Sequence, residues 1–327
     1  MPTSMPSPSI RIPMELLTPT AFSQFGTVVE NPATSPSSKL QIPNRVAPPA
    51  HVVANQGSAT KYLDVTHMSN LYHLAPSRKP AKAVMNMFVC APRTNLREGN
   101  EHSASIPSSW GDLDLDDNDD EDEGGGQFSR QLLDVTILER HPFTTQTFIP
   151  MGLAATDKHT QYLVIVAPTL PASYSRRHTG RPPPYPTPLP DSHKKKSFLE
   201  RFARARPAPY TTESTPPTPQ FEKLHPSARP KGPGLPDLKN LRAFVARGDQ
   251  AVTYGAGTWH APMIVIGDRA IDFVVVQFAN EVGNEDCQEV VLQAGEGARE
   301  GVVVVVDEDG AGKVQVKAGV GAVRAKL

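Results

Sequence analysis

The chain has 327 residues, 38% of them hydrophobic, and 34 prolines, which leaves apolar surface for one core of ordinary single-domain size rather than two. Lys plus Arg (33) against Asp plus Glu (34) gives a net charge of −1, so no global field favours nucleic acid or an anionic membrane. Two cysteines, Cys90 and Cys287, make no disulfide framework and fit a reducing compartment.

Met1 to Pro13 is Pro/Ser-rich without an apolar centre, which excludes a secretory signal there. The fold is expected to open at residue 14. Thr18 is placed to cap a short helix with Pro19 in its first turn and Gly26 at its stop. Strands are expected at 27–30, at 51–55 and 62–65 around the turn Asn55-Gln56-Gly57-Ser58, and at 84–90, where the apolar run predicts burial on both faces. Residues 94–130 read as a flexible insertion with a dense acidic run from Asp112 to Glu123. Strands follow at 132–138, 146–149 and 162–166. A second insertion, 173–233, is Pro-rich and basic, a composition that favours extended, unpacked chain. Order returns with a helical turn at 237–240 and strands at 241–245, 251–254, 263–266 and 273–277. Residues 293–327 form a Gly/Val-rich extension in which 302–306 and 313–316 could pair as a hairpin around Asp309-Gly310. The longest apolar runs, such as Val302–Val306, are too short to span a bilayer. Many short strands with Gly/Pro turns and no βαβ alternation predict an all-β barrel or sandwich with few helices, a single domain over 14–292.

Two segments concentrate the chemistry. In Glu139-Arg140-His141-Pro142 a strand would put Glu139 and His141 on one face and Arg140 on the other, and the turn after Pro142 returns Gln146 to the same mouth. In Gly255-Ala256-Gly257-Thr258-Trp259-His260, Gly257 permits a tight bend three residues before His260. A lone strand histidine is more often a hydrogen-bonded structural residue than a catalyst, but two in paired motifs rise above that expectation. The pattern resembles the cupin barrel, whose metal sites use His-x-His, a Glu four or five residues on, and a His in a second, Gly-containing motif. Here Glu139 stands for the first His, His141 matches the second, Gln146 stands for the Glu and His260 matches the last, while Gly255 occupies a position where Pro is expected. The likeness makes Glu139, His141, Gln146 and His260 the candidate ligands of a divalent metal ion. Without a metal the same groups make a polar pocket with an imidazole near its usual titration range.

Taken together, Glu139–Met151, Leu241-Arg242-Ala243-Phe244, Gly257–Pro262 and Asp272-Phe273 resemble the ureidoglycolate lyase family. So do Ala21–Gly26, Asn55-Gln56-Gly57 with Tyr62, and Asn284-Glu285-Asp286-Cys287. The resemblance spans about 14–93, 131–172 and 235–292 and omits both insertions and the tail. It implies a homodimeric cupin-like enzyme of purine and allantoin breakdown that splits (S)-ureidoglycolate into glyoxylate and urea. His260 or His141 would be the base, with the other, or Glu139, as acid or orienter. Arg140 or Lys61 would hold the carboxylate, and Asn55, Tyr62, Thr145 and Gln146 the ureido and hydroxyl groups. The competing functions are another cupin enzyme, a metal-dependent isomerase or dioxygenase, and a non-enzymatic binding barrel whose charged insertions recruit partners. The terminal Ala325-Lys326-Leu327 resembles a peroxisomal address of the Ser-Lys-Leu class; the alternative location is the cytoplasm.

Overall fold

The structure is a computed structural model that describes residues 3–32, 49–94, 96–99, 130–170 apart from 155 and 158, 231–294 and 300–307. The acidic run, nearly all of the Pro-rich basic segment, and the residues from 308 onward lie outside the described residues. In chain order the first strands are β1 (Thr3–Ser7), β2 (Ile10–Leu16), β3 (Gly26–Val29), β4 (His51–Ala54), β5 (Ala59–Tyr62), β6 (Lys82–Cys90), β7 (Arg97–Glu98), β8 (Arg130–Asp134) and β9 (Ile137–Arg140). They continue as β10 (Gln146–Pro150), β11 (Gln161–Ala167), β12 (Arg242–Arg247), β13 (Ala251–Tyr254), β14 (Trp259–His260), β15 (Ile264–Val265), β16 (Ile271–Ala279), β17 (Gln288–Ala294) and β18 (Val302–Asp307). Two four-residue helices, α1 (Pro19–Phe22) and α2 (Gly283–Asp286), complete the set. The architecture is all-β and cupin-like, as the sequence predicts.

The larger sheet has the order β1-β17-β9-β14-β11-β12-β2-β18-β8-β7, with β15 also on β11; the smaller has the order β3-β13-β10-β16-β6; among the described residues β4 and β5 pair only with each other. Strand β11 explains how the two sheets share one molecule. Its sequence Tyr162-Leu163-Val164-Ile165-Val166-Ala167 is apolar throughout because both of its faces are covered. Leu163, Ile165 and Ala167 pack with Leu138, Trp259, Val290 and Val304 in one core. Tyr162, Val164 and Val166 pack with Phe148, Val252, Phe273 and Val275 of the smaller sheet in a second. The second core lies between β11 and the smaller sheet, and Gln146 at the start of β10 borders it with the polar residues described below.

Several local expectations hold. Thr18 Oγ1 accepts from the Ala21 amide and caps α1. Gly26 is fixed by close approach, since a Cβ there would lie 1.8 Å from the Thr253 carbonyl oxygen. The Asn55-Gln56-Gly57 turn closes β4 onto β5, with Asn55 and Gln56 in the left-handed region at φ 48° and 56°.

Other expectations are corrected. Ordered strands begin at Thr3, and Val302–Asp307 is an interior strand, parallel to β2 and antiparallel to β8, not half of a terminal hairpin. The Pro- and Ser-rich start conceals an alternation in which Met5 and Ser7 turn inward. The apolar stretch 132–138 is two strands, because Val135 and Thr136 turn the chain from β18 to β17. Strand β6 is not buried on both faces. It pairs only with β16 among the described residues, at the sheet edge, and Met85 (70%) and Val89 (72%) are largely exposed. A run of apolar residues reports what a strand wants to cover, and not whether the same chain supplies the cover.

Candidate active site

Glu139, His141, Gln146 and His260 come together from two segments of the sequence, 139–146 and 257–260. Glu139 on β9 lies directly opposite His260 on β14, so the two side chains share a face as a cross-strand pair. His141 follows two residues after Glu139, and its ring centroid is 5.7 Å from that of His260. Gln146 opens β10 of the smaller sheet, beside Tyr254 and Gln277 in register. Its Oε1 is 3.1 Å from His260 Nε2, while Glu139 Oε1 is 3.5 Å from the same nitrogen. Tyr254 stacks on His260 at 4.0 Å and 13° and so fixes the plane of that ring.

Backbone carbonyls set the protonation of both imidazoles. His141 Nδ1 lies 2.6 Å from the Asp286 carbonyl, and His260 Nδ1 lies 2.9 Å from the Thr258 carbonyl. A carbonyl only accepts, so each Nδ1 carries the hydrogen, and in the neutral ring each Nε2 is left with a lone pair. His141 Nε2 is buried and has no protein partner. The ligand atoms of Glu139, His141 and His260 all lie within 4.8 Å of one another. With both rings neutral, a carboxylate, two imidazole lone pairs and an amide oxygen converge with no donor among them; a charged His260 instead donates through Nε2 to Glu139. Such a set fits a divalent cation of borderline softness, for which imidazole and carboxylate are ordinary ligands. Glu139 also groups with Cys287 and Glu289.

The electrostatics follow from burial and crowding. Burial opposes ionisation of Glu139, but the hydrogen bond and charge of His260, the charge of His141 and the Cys287 thiol outweigh it and draw the carboxyl down to about 2. Burial, reinforced by the charge of His260, pushes His141 down to about 4. Burial also raises the Cys287 thiol to about 12, with Glu139 and Glu289 adding to the effect; it is a neutral thiol, 3.8 Å from Glu139 Oε2, and not a nucleophile.

The other sequence candidates lie elsewhere. Arg140 points to the opposite face of β9, as strand alternation requires. Its guanidinium donates to Gln288 Oε1 and to the carbonyls of Gly232 and Gly234, and lies 4.4 Å from the Trp259 ring centroid. Thr145 Oγ1 accepts from the Ser69 amide and anchors the 66–72 segment. Asn55, Lys61 and Tyr62 belong to the exposed β4–β5 hairpin. Tyr62 lines a cleft with Ile149 and Pro150, three to four residues along β10 from Gln146, or about 10–13 Å at strand rise. Within one chain these residues do not join the centre.

Sequence reasoning missed three contributors. Tyr254 stacks on the ring of His260. Asp286 holds His141 through its carbonyl, while its own carboxylate receives Tyr72 Oη and the Asn280 amide. Gln277 accepts from Gln146 Nε2 at 2.8 Å. The last carried a visible signal: on β16 the inward alternation Phe273, Val275 ends in a glutamine.

Residues 9–297 match the model of the ureidoglycolate lyase family. The chain belongs to that family. Ureidoglycolate lyase of Schizosaccharomyces pombe is 27% identical over 278 residues, covering 85% of this chain and 90% of the relative. The Saccharomyces cerevisiae protein of the same name is 26% identical over 284 residues, covering 86% and 93%. A Burkholderia mallei ureidoglycolate lyase is 27% identical over 163 residues, 47% of this chain and 54% of that protein. The family match extends from β2 to just past β17 and therefore encloses every residue of the centre.

Proposed function

We propose that the chain is an enzyme that cleaves (S)-ureidoglycolate to glyoxylate and urea. One observation carries this reading: the region matched to the family brings Glu139, His141 and His260 within ligand distance of one another, with Gln146 Oε1 3.1 Å from His260 Nε2. The substrate is a carbinolamide. Its hydroxyl loses a proton, the oxygen lone pair forms the aldehyde carbonyl, the C–N electron pair leaves with nitrogen, and that nitrogen takes up a proton to give urea. No net proton is consumed, so a single carrier can serve both ends.

Glu139 is placed for that role. Its side chain is 20% exposed against 1% for His260, so it is the member of the centre nearest solvent. It is ionised across the physiological range and can take the hydroxyl proton and return it to the departing nitrogen. His141 and His260, held by Asp286 and Thr258, orient the hydroxyl end through Nε2. Glu139, His141, His260 and Gln146 Oε1 would hold a divalent cation, which when bound would acidify the hydroxyl. Tyr254 excludes water from the far side of His260.

The test is product identity: purified protein given (S)-ureidoglycolate should release urea and glyoxylate in equal amounts, and His260→Asn should lose about 10²–10⁴-fold in turnover while remaining folded. Ammonia and carbon dioxide as products, or no turnover, would overturn the assignment.

A homodimer is part of the same reading. Support comes from β6, a nine-residue edge strand whose Met85, Met87 and Val89 are exposed beside Ile149 and Met151, an apolar surface of the kind that a second copy covers. Sedimentation at monomer mass at micromolar concentration would exclude it. We further propose a peroxisomal location, addressed by Ala325-Lys326-Leu327, over the cytoplasmic alternative; a C-terminal tag that leaves the protein in peroxisomes would refute that.

A further inference from the structure

The polar centre has a second tier. Gln146 and Gln277 sit opposite each other on β10 and β16, joined by a hydrogen bond from Gln146 Nε2 to Gln277 Oε1 of 2.8 Å. The direction of an amide pair is dictated by the groups at its ends. At the inner end, Gln146 Oε1 stands with Glu139 and two imidazole lone pairs, the arrangement expected around a cation. That turns Gln146 Nε2 away from the centre and towards Gln277, which must answer with its oxygen. Gln277 Nε2 is then the free end. Among the described residues it donates to nothing, and Gln277 is only partly buried. The neighbouring inward positions on β6, Val84 and Asn86, pair with Gln277 and Val275 and are partly or fully exposed. The barrel is open at this edge, and two N–H donors face the opening a few ångströms from an otherwise acceptor-only site.

We propose that Gln277 is a specificity residue whose side-chain amide donates to the ureido carbonyl oxygen of the substrate. The inference rests on the lyase reading and deepens it. A cation held by the centre would take the hydroxyl and carboxylate oxygens, the only anionic and acidic end of the substrate. The remaining acceptor is the neutral carbonyl of the ureido group, which calls for a neutral donor. A lysine or arginine in this place would serve a carboxylate better; an amide matches an amide. Gln146 and Gln277 thus form a relay in which the charge at the centre orients the donor at the mouth.

Two variants test this. Gln277→Met keeps length and removes donor and acceptor, and Gln277→Glu keeps an acceptor for Gln146 Nε2 but has no N–H. Both should raise KM for ureidoglycolate tenfold or more, with thermal midpoints near wild type. Glyoxylate, the product without a ureido group, should inhibit Gln277→Met competitively with a Ki within threefold of wild type. Calorimetric titration of nickel or zinc into chelator-treated Gln277→Glu should give an affinity no weaker than threefold below wild type, because Gln146 keeps its anchor. The inference is overturned if KM is unchanged in either variant, if glyoxylate weakens in parallel with ureidoglycolate in Gln277→Met, or if Gln277→Glu loses the metal. A wild-type protein that leaves ureidoglycolate intact overturns the lyase reading itself, an outcome distinct from any of these.

Discussion

Arg140→Met separates two roles for the buried arginine next to the centre. The residue is 0% exposed, and methionine preserves its apolar stem while removing every N–H. Gln288 Oε1 would lose donors at 2.9 and 2.8 Å, and the Gly232 carbonyl one at 2.9 Å. The Gly234 carbonyl would keep the Trp259 indole N–H at 3.1 Å. Two acceptors deprived of a charged donor cost about 1–3 kcal/mol each, and loss of the guanidinium from the Trp259 face adds about 1–2 kcal/mol. The sum, roughly 3–8 kcal/mol, is a large share of the roughly 5–15 kcal/mol that holds a typical domain together. At about 2–4 °C per kcal/mol for a fold of this size, the thermal midpoint should fall by roughly 6–32 °C. Urea unfolding monitored by Trp fluorescence gives the free energy, and KM for ureidoglycolate measured well below the new midpoint gives the functional side. The expected result is a destabilised enzyme with KM within about threefold of wild type. A variant of unaltered stability whose KM rises tenfold or more would refute the structural role and make Arg140 the carboxylate clamp.

Two further outcomes follow from the site and its support. Addition of nickel, zinc or manganese to chelator-treated protein at about 100 times Kd should stabilise it by about 2.7 kcal/mol, or roughly 5–10 °C, and His141→Asn should abolish most of that shift; wild-type protein indifferent to all three ions would eliminate the cation site. Burial pushes the Glu285 carboxyl up, but hydrogen bonds from Ser77 and Asn280 outweigh it and hold it below the usual carboxylate range. A depressed carboxyl contributes stability that is complete above its unfolded value, about 4.3, and is lost as pH falls through the folded value. Glu285→Gln should therefore cost about 1–2 kcal/mol at neutral pH and progressively less in acid, and a difference from wild type that grows on acidification would contradict the assignment.

The sequence made the all-β architecture legible because strand period and turn chemistry are local. Gly257, Asn55-Gln56-Gly57 and the Thr18 cap each act over a few residues, and the structure keeps them. The same alternation rule puts Arg140 on the face opposite Glu139 and His141 from residue order alone. What stayed hidden depends on long-range partners. Whether Val302–Val306 is a frayed tail or an interior strand is decided by β2 and β8, about 290 and 170 residues earlier in the chain. The exposure of β6 is decided by what lies beyond the sheet edge. The tautomers of His141 and His260 are decided by two carbonyls, and a carbonyl leaves no trace in a residue's identity. Asn55 and Tyr62 lie in stretches that resemble the same family as the centre's motifs, yet such a likeness carries no distance, and their hairpin stands apart from the centre.

The parallel pairing of Ile10–Pro13 with Val302–Val305 has a consequence for biosynthesis. A ribosome must release the first 307 residues before the gap between β2 and β8 can be filled. Until then the growing chain lacks the strand that joins these two, so closure of this sheet is a late event with a high loop-closure cost. Removing the last 20 residues, 308–327, would spare β18, whereas a stop codon before residue 302 should yield a chain that begins to fold and never seals.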